Sequence, residues 1–338
     1  MTTAPDVVHV VCTNAFAGVE RYVTTLARAQ AARGLQVQVL GGAAGRMPAE
    51  LAGTSVRWAP AVTVAAAARA LLGLRPGVVH AHMTAAELAA VATARAPVVA
   101  TRHFAERRGS SPVARTLGRV LTRRIAAQVA ISSFVATRVE GASTVVHPGV
   151  PDADVTGAER QPVVLMAQRL EPEKRADTGL RIWAASGLGD RGWQLLVAGT
   201  GACRHDLERL AAELGVASSC RFLGSRSDVS DLLASAAVFL APRPDEPYGL
   251  SVVEAMAHAT PIVAAGGGGH DETVGSVPGA VLVPAHDPVS AGASLADLAA
   301  DPARCRSYGR ALQDVQRARF GVGTHAAGVA AVYTEVLR

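Results

Sequence analysis

Glu246 and Glu254 stand with seven residues between them in the segment DEPYGLSVVEAMAHATPIVAAGGGG, residues 245–269. The intervening Pro-Tyr248-Gly249-Leu250-Ser251 reads as a loop that opens a helix. The apolar Pro261-Ile-Val-Ala-Ala run and the four glycines after it read as a strand and a turn. Carboxylates accept hydrogen bonds from sugar hydroxyls. A helix N-terminus offers unpaired N–H groups and the positive end of its dipole to phosphates. In that order these parts can hold a sugar diphosphate. The same letters permit a second reading: Ser251-Val-Val-Glu254 is also a capping box, in which Glu254 does no more than satisfy a backbone N–H.

The second point of chemistry is Lys174, the one lysine in a chain with thirty-two arginines. A lysine kept where the composition otherwise uses arginine suits a site that needs a compact point charge rather than a planar fork. It closes the run Val163-Val-Leu-Met-Ala-Gln168-Arg169-Leu-Glu-Pro-Glu-Lys174, a strand followed by a charged loop. Taken alone, that run reads as a solvated charge cluster at a helix start before it reads as a phosphate site; paired with the Glu246–Glu254 segment, it favours phosphate binding.

Together these segments resemble the retaining glycosyltransferases of GT-B fold that carry an E-x7-E signature, and among them glycosyltransferase family 4. Glu246-Pro-Tyr248-Gly249-Leu250 is similar to the family's Glu-x-Phe/Tyr-Gly-Leu loop, Glu254-Ala-Met-Ala257 to its E-A-x-A helix, and Gly266-Gly267 to the glycines that follow. Gln168-Arg169-Leu and Lys174 are similar to G-R-L-x-x-x-K, with Gln168 in place of the glycine. Trp193 to Gly201 resembles L-x-I-x-G-x-G, and Cys220-Arg-Phe-Leu223-Gly224 resembles V-x-F-L-G. Earlier in the chain, Ala17-Gly18-Val-Glu20-Arg21 is similar to G-G-x-E-R with Ala17 replacing the first glycine. Val78-Val-His80-Ala-His82 is similar to V-V-H-x-H, and Thr101-Arg102-His103 to T-x-H. The likeness covers nearly the whole chain and is closer after residue 160.

The resemblance implies an α/β GT-B fold, with two Rossmann-like doubly wound domains facing across an inter-domain cleft. Residues 1–155 would form the acceptor-side domain, 156–323 the nucleotide-sugar domain, and 324–338 a helix returning to the first. It implies transfer of a hexose-type sugar, with retention, from a nucleotide-diphosphate donor to a hydroxyl of a small-molecule, glycan or lipid acceptor. The catalytic residues it implies are Glu246, Arg169, Lys174 and His103. For donor binding it implies Gly18, Arg169, Lys174, Leu223, Glu246, Tyr248, Gly249, Leu250, Ser251 and Glu254. In that scheme Arg169 and Lys174 hold the pyrophosphate, Glu246 the donor sugar and Glu254 the ribose. The backbone near Leu223 meets the base, Gly18 lies against the donor phosphate, and His103 meets the transferred sugar. No metal or other cofactor is expected, because side-chain cations and a helix dipole supply the positive charge. Asp152-Ala-Asp154 has D-x-D letters but lies in a linker. A catalytically silent nucleotide-sugar-binding subunit and a nucleotide-sugar epimerase are the alternatives of the same fold.

The elements that position these residues are legible in part. Val7–Cys12 reads as a buried strand. Val19, Tyr22, Val23, Leu26 and Ala27 have the spacing of a helix face that Gly34 ends. Val37–Leu40 reads as the next strand. Strand-like runs recur at 77–81, 97–101, 128–132, 163–167, 193–198, 220–224 and 237–242, with helical stretches between, which predicts parallel sheets. A histidine just past a strand end lies where open α/β sheets bind ligands. His103 and His82 fit that position, whereas His80 reads as a packed strand residue. Pro151–Pro162 reads as a polar linker, and 324–337 as a closing helix.

A length of 338 residues suits two domains of about 150–180 residues each. Aromatic content of 4% argues against a stacking surface for single-stranded nucleic acid, despite a net charge of +5. Four cysteines without C-x-x-C spacing predict buried thiols rather than disulfides or zinc ligands. The longest apolar stretch, 59–74, is interrupted by Arg69, and the N-terminus lacks a basic leader region, so a cytoplasmic protein is expected. Residues 1–150 carry a net +10 and residues 151–338 a net −5, with eight arginines between Arg102 and Arg138. Arg115, Arg119 and Arg123 recur every four residues, with Arg107, Arg108 and Arg124 beside them and Val113, Leu117, Val120 and Leu121 opposite. That pattern fits a helix held peripherally on an anionic membrane, an anionic acceptor, or an ordinary amphipathic helix against a core.

Overall fold

The computed structural model describes residues 4–109, 118, 123–154 and 159–338. It divides into two compact units, Met1–Gly149 with Phe320–Arg338, and Val150–Arg319. The divisions fall a few residues ahead of the 155 and 323 read from the sequence, for a local reason. Gln316 and Gln313, on the helix Pro302–Arg319, donate to the Val150 and Ala153 carbonyls and tie the start of the linker to the second unit. Phe320 is fully buried and meets His147 edge-on, within the first unit.

The first unit is built on a seven-stranded parallel sheet in the order β3-β2-β1-β4-β5-β6-β7. Its strands are β1 Val7–Val11, β2 Val37–Gly41, β3 Arg57–Ala59, β4 Val78–His82, β5 Val98–Arg102, β6 Ala127–Ala130 and β7 Thr144–Val145. Every residue of β1, β4 and β5 is buried, as parallel strands covered on both faces must be. The valine runs of the sequence supply the apolar ones. The helix Gly18–Ala32 buries Val19, Tyr22, Val23, Leu26 and Ala27, and Gly34 follows its end at φ +90°. Gln30 is buried on the same face. The helix Val322–Val336 belongs to this unit, with its Gly323 carbonyl accepting from Arg33.

The second unit carries a six-stranded parallel sheet in the order β10-β9-β8-β11-β12-β13. Its strands are β8 Gln161–Ala167, β9 Gln194–Ala198, β10 Cys220–Gly224, β11 Ala236–Ala241, β12 Ile262–Ala265 and β13 Val281–Val283. The strand order reverses between β8 and β11, and in the first unit between β1 and β4. At such a switch point the loops leaving the two strands diverge and open a crevice. Short β3 and β13 carry too few residues to show a pattern in the sequence. Trp58 of β3 is tied in by its indole N–H, which donates to the Gly41 carbonyl. The four cysteines are free and half-buried, not fully buried as expected.

Candidate functional site

In the second unit the sequence motifs meet at the switch point. The loop after β8 carries Gln168 to Lys174, and the loop after β11 carries Arg243 to Gly249. The Lys174 ammonium donates to Glu246 Oε2 at 2.8 Å, and Arg243 reaches the same oxygen at 3.5 Å. The Lys174 and Glu246 side chains are only 19% and 14% exposed, so this pair is largely shielded from water. Arg169 stands apart: its guanidinium is 53% exposed and pairs with Glu173 at 2.8 Å. Gln168, which replaces the expected glycine, turns its side chain back to donate to the Lys174 carbonyl at 3.0 Å. It thereby fixes the loop that presents the ammonium. Arg175 adopts the left-handed region at φ +54°, a conformation that costs a non-glycine residue about 1–2 kcal/mol, directly after Lys174. Such strain persists where surrounding contacts over-determine the backbone, and functional loops are common places for it.

The Glu246 loop is clamped by the glycines that follow β12. The Gly269 amide donates to the Glu246 carbonyl at 2.7 Å, and a Cβ on Gly269 would stand 2.5 Å from Tyr248 Cα. Gly249 caps the helix Leu250–Ala257 at φ +91°, where a side chain would also press on the His270 ring. Ser251 is thus the second residue inside the helix and Glu254 lies in its second turn. The cap makes no side-chain hydrogen bond, so Ser251 and Glu254 do not form a capping box. The first amides of the helix, at Leu250 and Ser251, have no intrahelical acceptor, as at any helix start.

Gln168, Lys174, Arg243, Glu246, Gly249, Ser251 and His270 line one small polar pocket. Beside it, a wider depression of about 530 Å³ is lined by Arg175, Pro244, Gly266 and the loop after β13. Three of the pocket residues were not anticipated as site residues: Gln168, Arg243 and His270. His270 is buried and donates from Nδ1 to the Ala265 carbonyl at 2.9 Å, which leaves Nε2 as an acceptor. Burial lowers its pKa, while the Ala265 carbonyl and Glu246 oppose that shift. Other expected donor residues are not gathered here. The Tyr248 side chain is buried in the core, so only its backbone borders the loop. Leu223 sits half-buried at the irregularity in edge strand β10, two strands away from β8.

Replacing Gly269 by alanine tests the clamp. The new methyl meets backbone rather than a movable side chain, so the Glu246 loop must shift. The variant should lose about 1–3 kcal/mol of stability, the usual cost of overpacking. Differential scanning calorimetry with and without nucleotide measures both effects. An unchanged melting temperature together with unchanged nucleotide affinity counts against the clamp.

In the first unit Gly18 is exposed at the start of its helix, after β1. Glu20 accepts from the Ala17 amide and the Thr13 hydroxyl, both at 2.8 Å, and fixes the loop that leads there. His103 follows β5 and is 7% exposed, and its Nε2 lies 3.1 Å from Nδ1 of His82. Burial, with His325 and Arg102 nearby, lowers the His103 pKa to about 3. Met83, directly after His82, is held at φ +70°. The basic segment resolves differently from the expectation at two of its arginines. Arg108 is buried against Glu87, Glu140 and Gln128, and Arg102 pairs with Glu140 at 3.0 Å, so their charge is answered internally. Arg115 and Arg119 and the apolar residues opposite them lie outside the described residues. Among the described residues no helix is long and apolar enough to cross a membrane.

Comparisons with known proteins agree with this division. Residues 16–154 match the family model Glycosyltransferase Family 4, and residues 152–314 match Glycosyl transferases group 1. The D-inositol 3-phosphate glycosyltransferase of Streptomyces avermitilis is 34% identical over 224 residues, 59% of this chain and 48% of that protein. The enzyme of the same name from Thermobispora bispora is 35% identical over 218 residues, 57% of this chain and 50% of that one. The chain therefore spans about half the length of the curated relatives it matches. Among solved structures, Anabaena HepE in complex with UDP and glucose superposes with a TM-score of 0.80 at 18% identity, covering 98% of this chain and 100% of that one. A glycosyltransferase from Rickettsia africae gives 0.80 at 17%, covering all of both chains. With two parallel-sheet Rossmann-like units and matches in both halves, the chain belongs to the glycosyltransferases of GT-B fold, a family 4 domain followed by a group 1 domain.

Proposed function

We propose that the protein is a retaining glycosyltransferase that moves a hexose-type sugar from a nucleotide-diphosphate donor to an acceptor hydroxyl. The observation that carries this reading is the shielded Lys174–Glu246 pair at the switch point of the second sheet, beside the start of the helix Leu250–Ala257. In the reaction the bond from the anomeric carbon to the leaving phosphate breaks and a bond to the acceptor oxygen forms on the same face. The acceptor proton passes to the departing phosphate oxygen. Charge grows on the diphosphate as this happens, and Lys174 and the amides of Leu250 and Ser251 are the groups that meet it. Arg169 adds a cation from the loop edge. Glu246 holds the donor sugar, Glu254 the ribose, and His103 the transferred sugar. Gly18 lets the donor phosphate approach the backbone of the first unit. The names of the relatives support a phosphorylated polyol as the first acceptor to try, and the UDP and glucose bound to a structural neighbour support UDP-sugars as the first donors.

Thermal-shift or calorimetric titration with UDP-, GDP-, ADP- and dTDP-sugars, followed by mass spectrometry of products with candidate acceptors, tests the reading. Binding and transfer with one donor series supports it. Failure to bind any of the four would remove it, and binding without transfer or donor hydrolysis would leave a silent subunit.

We also propose that no divalent metal serves this site, because Lys174, Arg243 and the helix N-terminus already place positive charge there. Transfer should be unchanged in EDTA. Activity lost in EDTA and restored by Mg²⁺ or Mn²⁺ contradicts that.

A further inference from the structure

Four histidines in the first unit, His9, His80, His82 and His103, come from two adjacent parallel strands, β1 and β4, and the turn after the neighbouring β5. Three of them are fully buried and all are hydrogen-bonded into one network. Tyr333 O–H lies 2.6 Å from His80 Nδ1, and His80 Nε2 lies 2.6 Å from Thr101 Oγ1. Gln30 Nε2 reaches the same Tyr333 oxygen at 3.4 Å. From the other end of its amide, Gln30 Oε1 lies 2.7 Å from His9 Nε2. His9 Nδ1 lies 3.0 Å from His82 Nε2, and His82 Nδ1 lies 3.1 Å from His103 Nε2. Among the described residues His103 Nδ1 has no partner.

The proton positions in this network follow from one end. A phenol is a far stronger acid than an imidazole N–H, so at 2.6 Å Tyr333 donates to His80 rather than the reverse. Its oxygen then accepts from the Gln30 NH₂, which turns the Gln30 carbonyl toward His9. A carbonyl only accepts, so His9 carries its proton on Nε2 and accepts at Nδ1. His82 must then donate from Nε2 and accept at Nδ1, and His103 must donate from Nε2. Each neutral imidazole has one proton to give, so each choice forces the next.

We infer that Gln30 and Tyr333 are positioning residues that, through His9 and His82, hold His103 as its Nε2–H tautomer and leave Nδ1 as a bare hydrogen-bond acceptor. Under the reading that His103 meets the transferred sugar, the enzyme selects a sugar hydroxyl that donates a hydrogen bond, and rejects an analogue in which that hydroxyl is absent or methylated. The buried ring His325, Arg102 and the Tyr22 ring are the other titratable groups around the chain of imidazoles. Burial lowers His9 to about 4 and His103 to about 3, so all the links stay neutral near pH 7. One nitrogen from each of His9, His80 and His82 lies within 4.8 Å of the others, close enough for a metal ion. All six of their ring nitrogens already have hydrogen-bond partners, and the relay accounts for them without one.

Nitrogen-15 labelling of the histidines and long-range proton–nitrogen correlation spectra report the tautomer of each ring directly, without substrate. Signals are assigned by single His→Gln variants. His9, His80, His82 and His103 should all appear as neutral Nε2–H forms at pH 7. In Gln30→Met, His103 should become a mixture of tautomers, and in Tyr333→Phe the shift should spread from His80 and His9. An Nδ1–H form of His103 in the wild type overturns the relay. So does a His103 tautomer unmoved in both variants, or stoichiometric metal in the purified protein bound to these rings. Should the spectra agree while His103→Ala transfers sugar at the wild-type rate, the relay stands and the sugar contact falls.

Discussion

Lys174→Met should lower sugar transfer by roughly 30- to 1,000-fold, equivalent to about 2–4 kcal/mol of transition-state stabilisation, the range lost with one preorganised charge-stabilising donor. The ammonium is the most shielded cation at the second switch point, and no second lysine exists in the chain to replace it. The fold should survive, because Glu246 keeps Arg243 at 3.5 Å as a counter-charge. Lys174→Arg should recover only part of the rate, since a planar fork on a different stem cannot reproduce a point charge beside Glu246. Arg169→Ala should cost less than Lys174→Met, because Arg169 is half exposed and already paired with Glu173. Steady-state kinetics, with folding checked by circular dichroism, decide this. Wild-type turnover in a folded Lys174→Met protein would falsify the leaving-group assignment.

The second large effect is acid lability of the first unit. His9, His80, His82, His103 and His325 are all buried, and burial is the leading cause of a lowered pKa in each. His9 falls to about 4, and His103 and His325 to about 3. In the unfolded chain these rings titrate near 6.5. Below that pH the unfolded state binds protons that the native state refuses, so stability is full above about 6.5 and falls as the pH drops. Each ring contributes about 1.4 kcal/mol per pH unit until its native value is reached. His9 alone therefore removes about 3 kcal/mol by pH 4, a sizeable part of the roughly 5–15 kcal/mol that holds a domain folded. Denaturant melts between pH 7.5 and 4.5, followed by hydrogen exchange so that the two units are read separately, should show a much steeper loss in the first, with five such rings, than in the second, where burial lowers His270 and the half-buried His258. Equal stability of that unit at pH 7 and pH 5 contradicts the buried neutral cluster.

The parallel sheets were legible because their strands are buried on both faces and so appear as near-continuous apolar runs, such as Val163–Ala167 and Val7–Val11, the latter broken only by His9. The pairing of Lys174 with Glu246 was legible only as two motifs. What joins them is the reversal of strand order between β8 and β11, which no local pattern contains. His270 was missed because its ring reaches the pocket only when Gly269 packs on Tyr248, a contact between segments more than twenty residues apart. Gln30 reads in sequence as one polar residue on an apolar helix face; its role appears once β1 and the C-terminal helix close around it. The capping-box alternative at Ser251 could not be settled from letters, because it turns on whether the helix begins at Leu250 or two residues later. The basic stretch misled for a physical reason too: charge counting does not reveal that Glu87 and Glu140, distant in sequence, neutralise Arg102 and Arg108.

The central claim is that a nucleoside diphosphate binds at the end of β8 and β11 in the second unit. Calorimetric titration of UDP into the wild-type protein and into Lys174→Met, side by side, tests it most directly. Saturable one-to-one binding to the wild type, weakened at least tenfold in the variant, is the predicted result; equal affinity in the two proteins would place the nucleotide elsewhere and contradict the account.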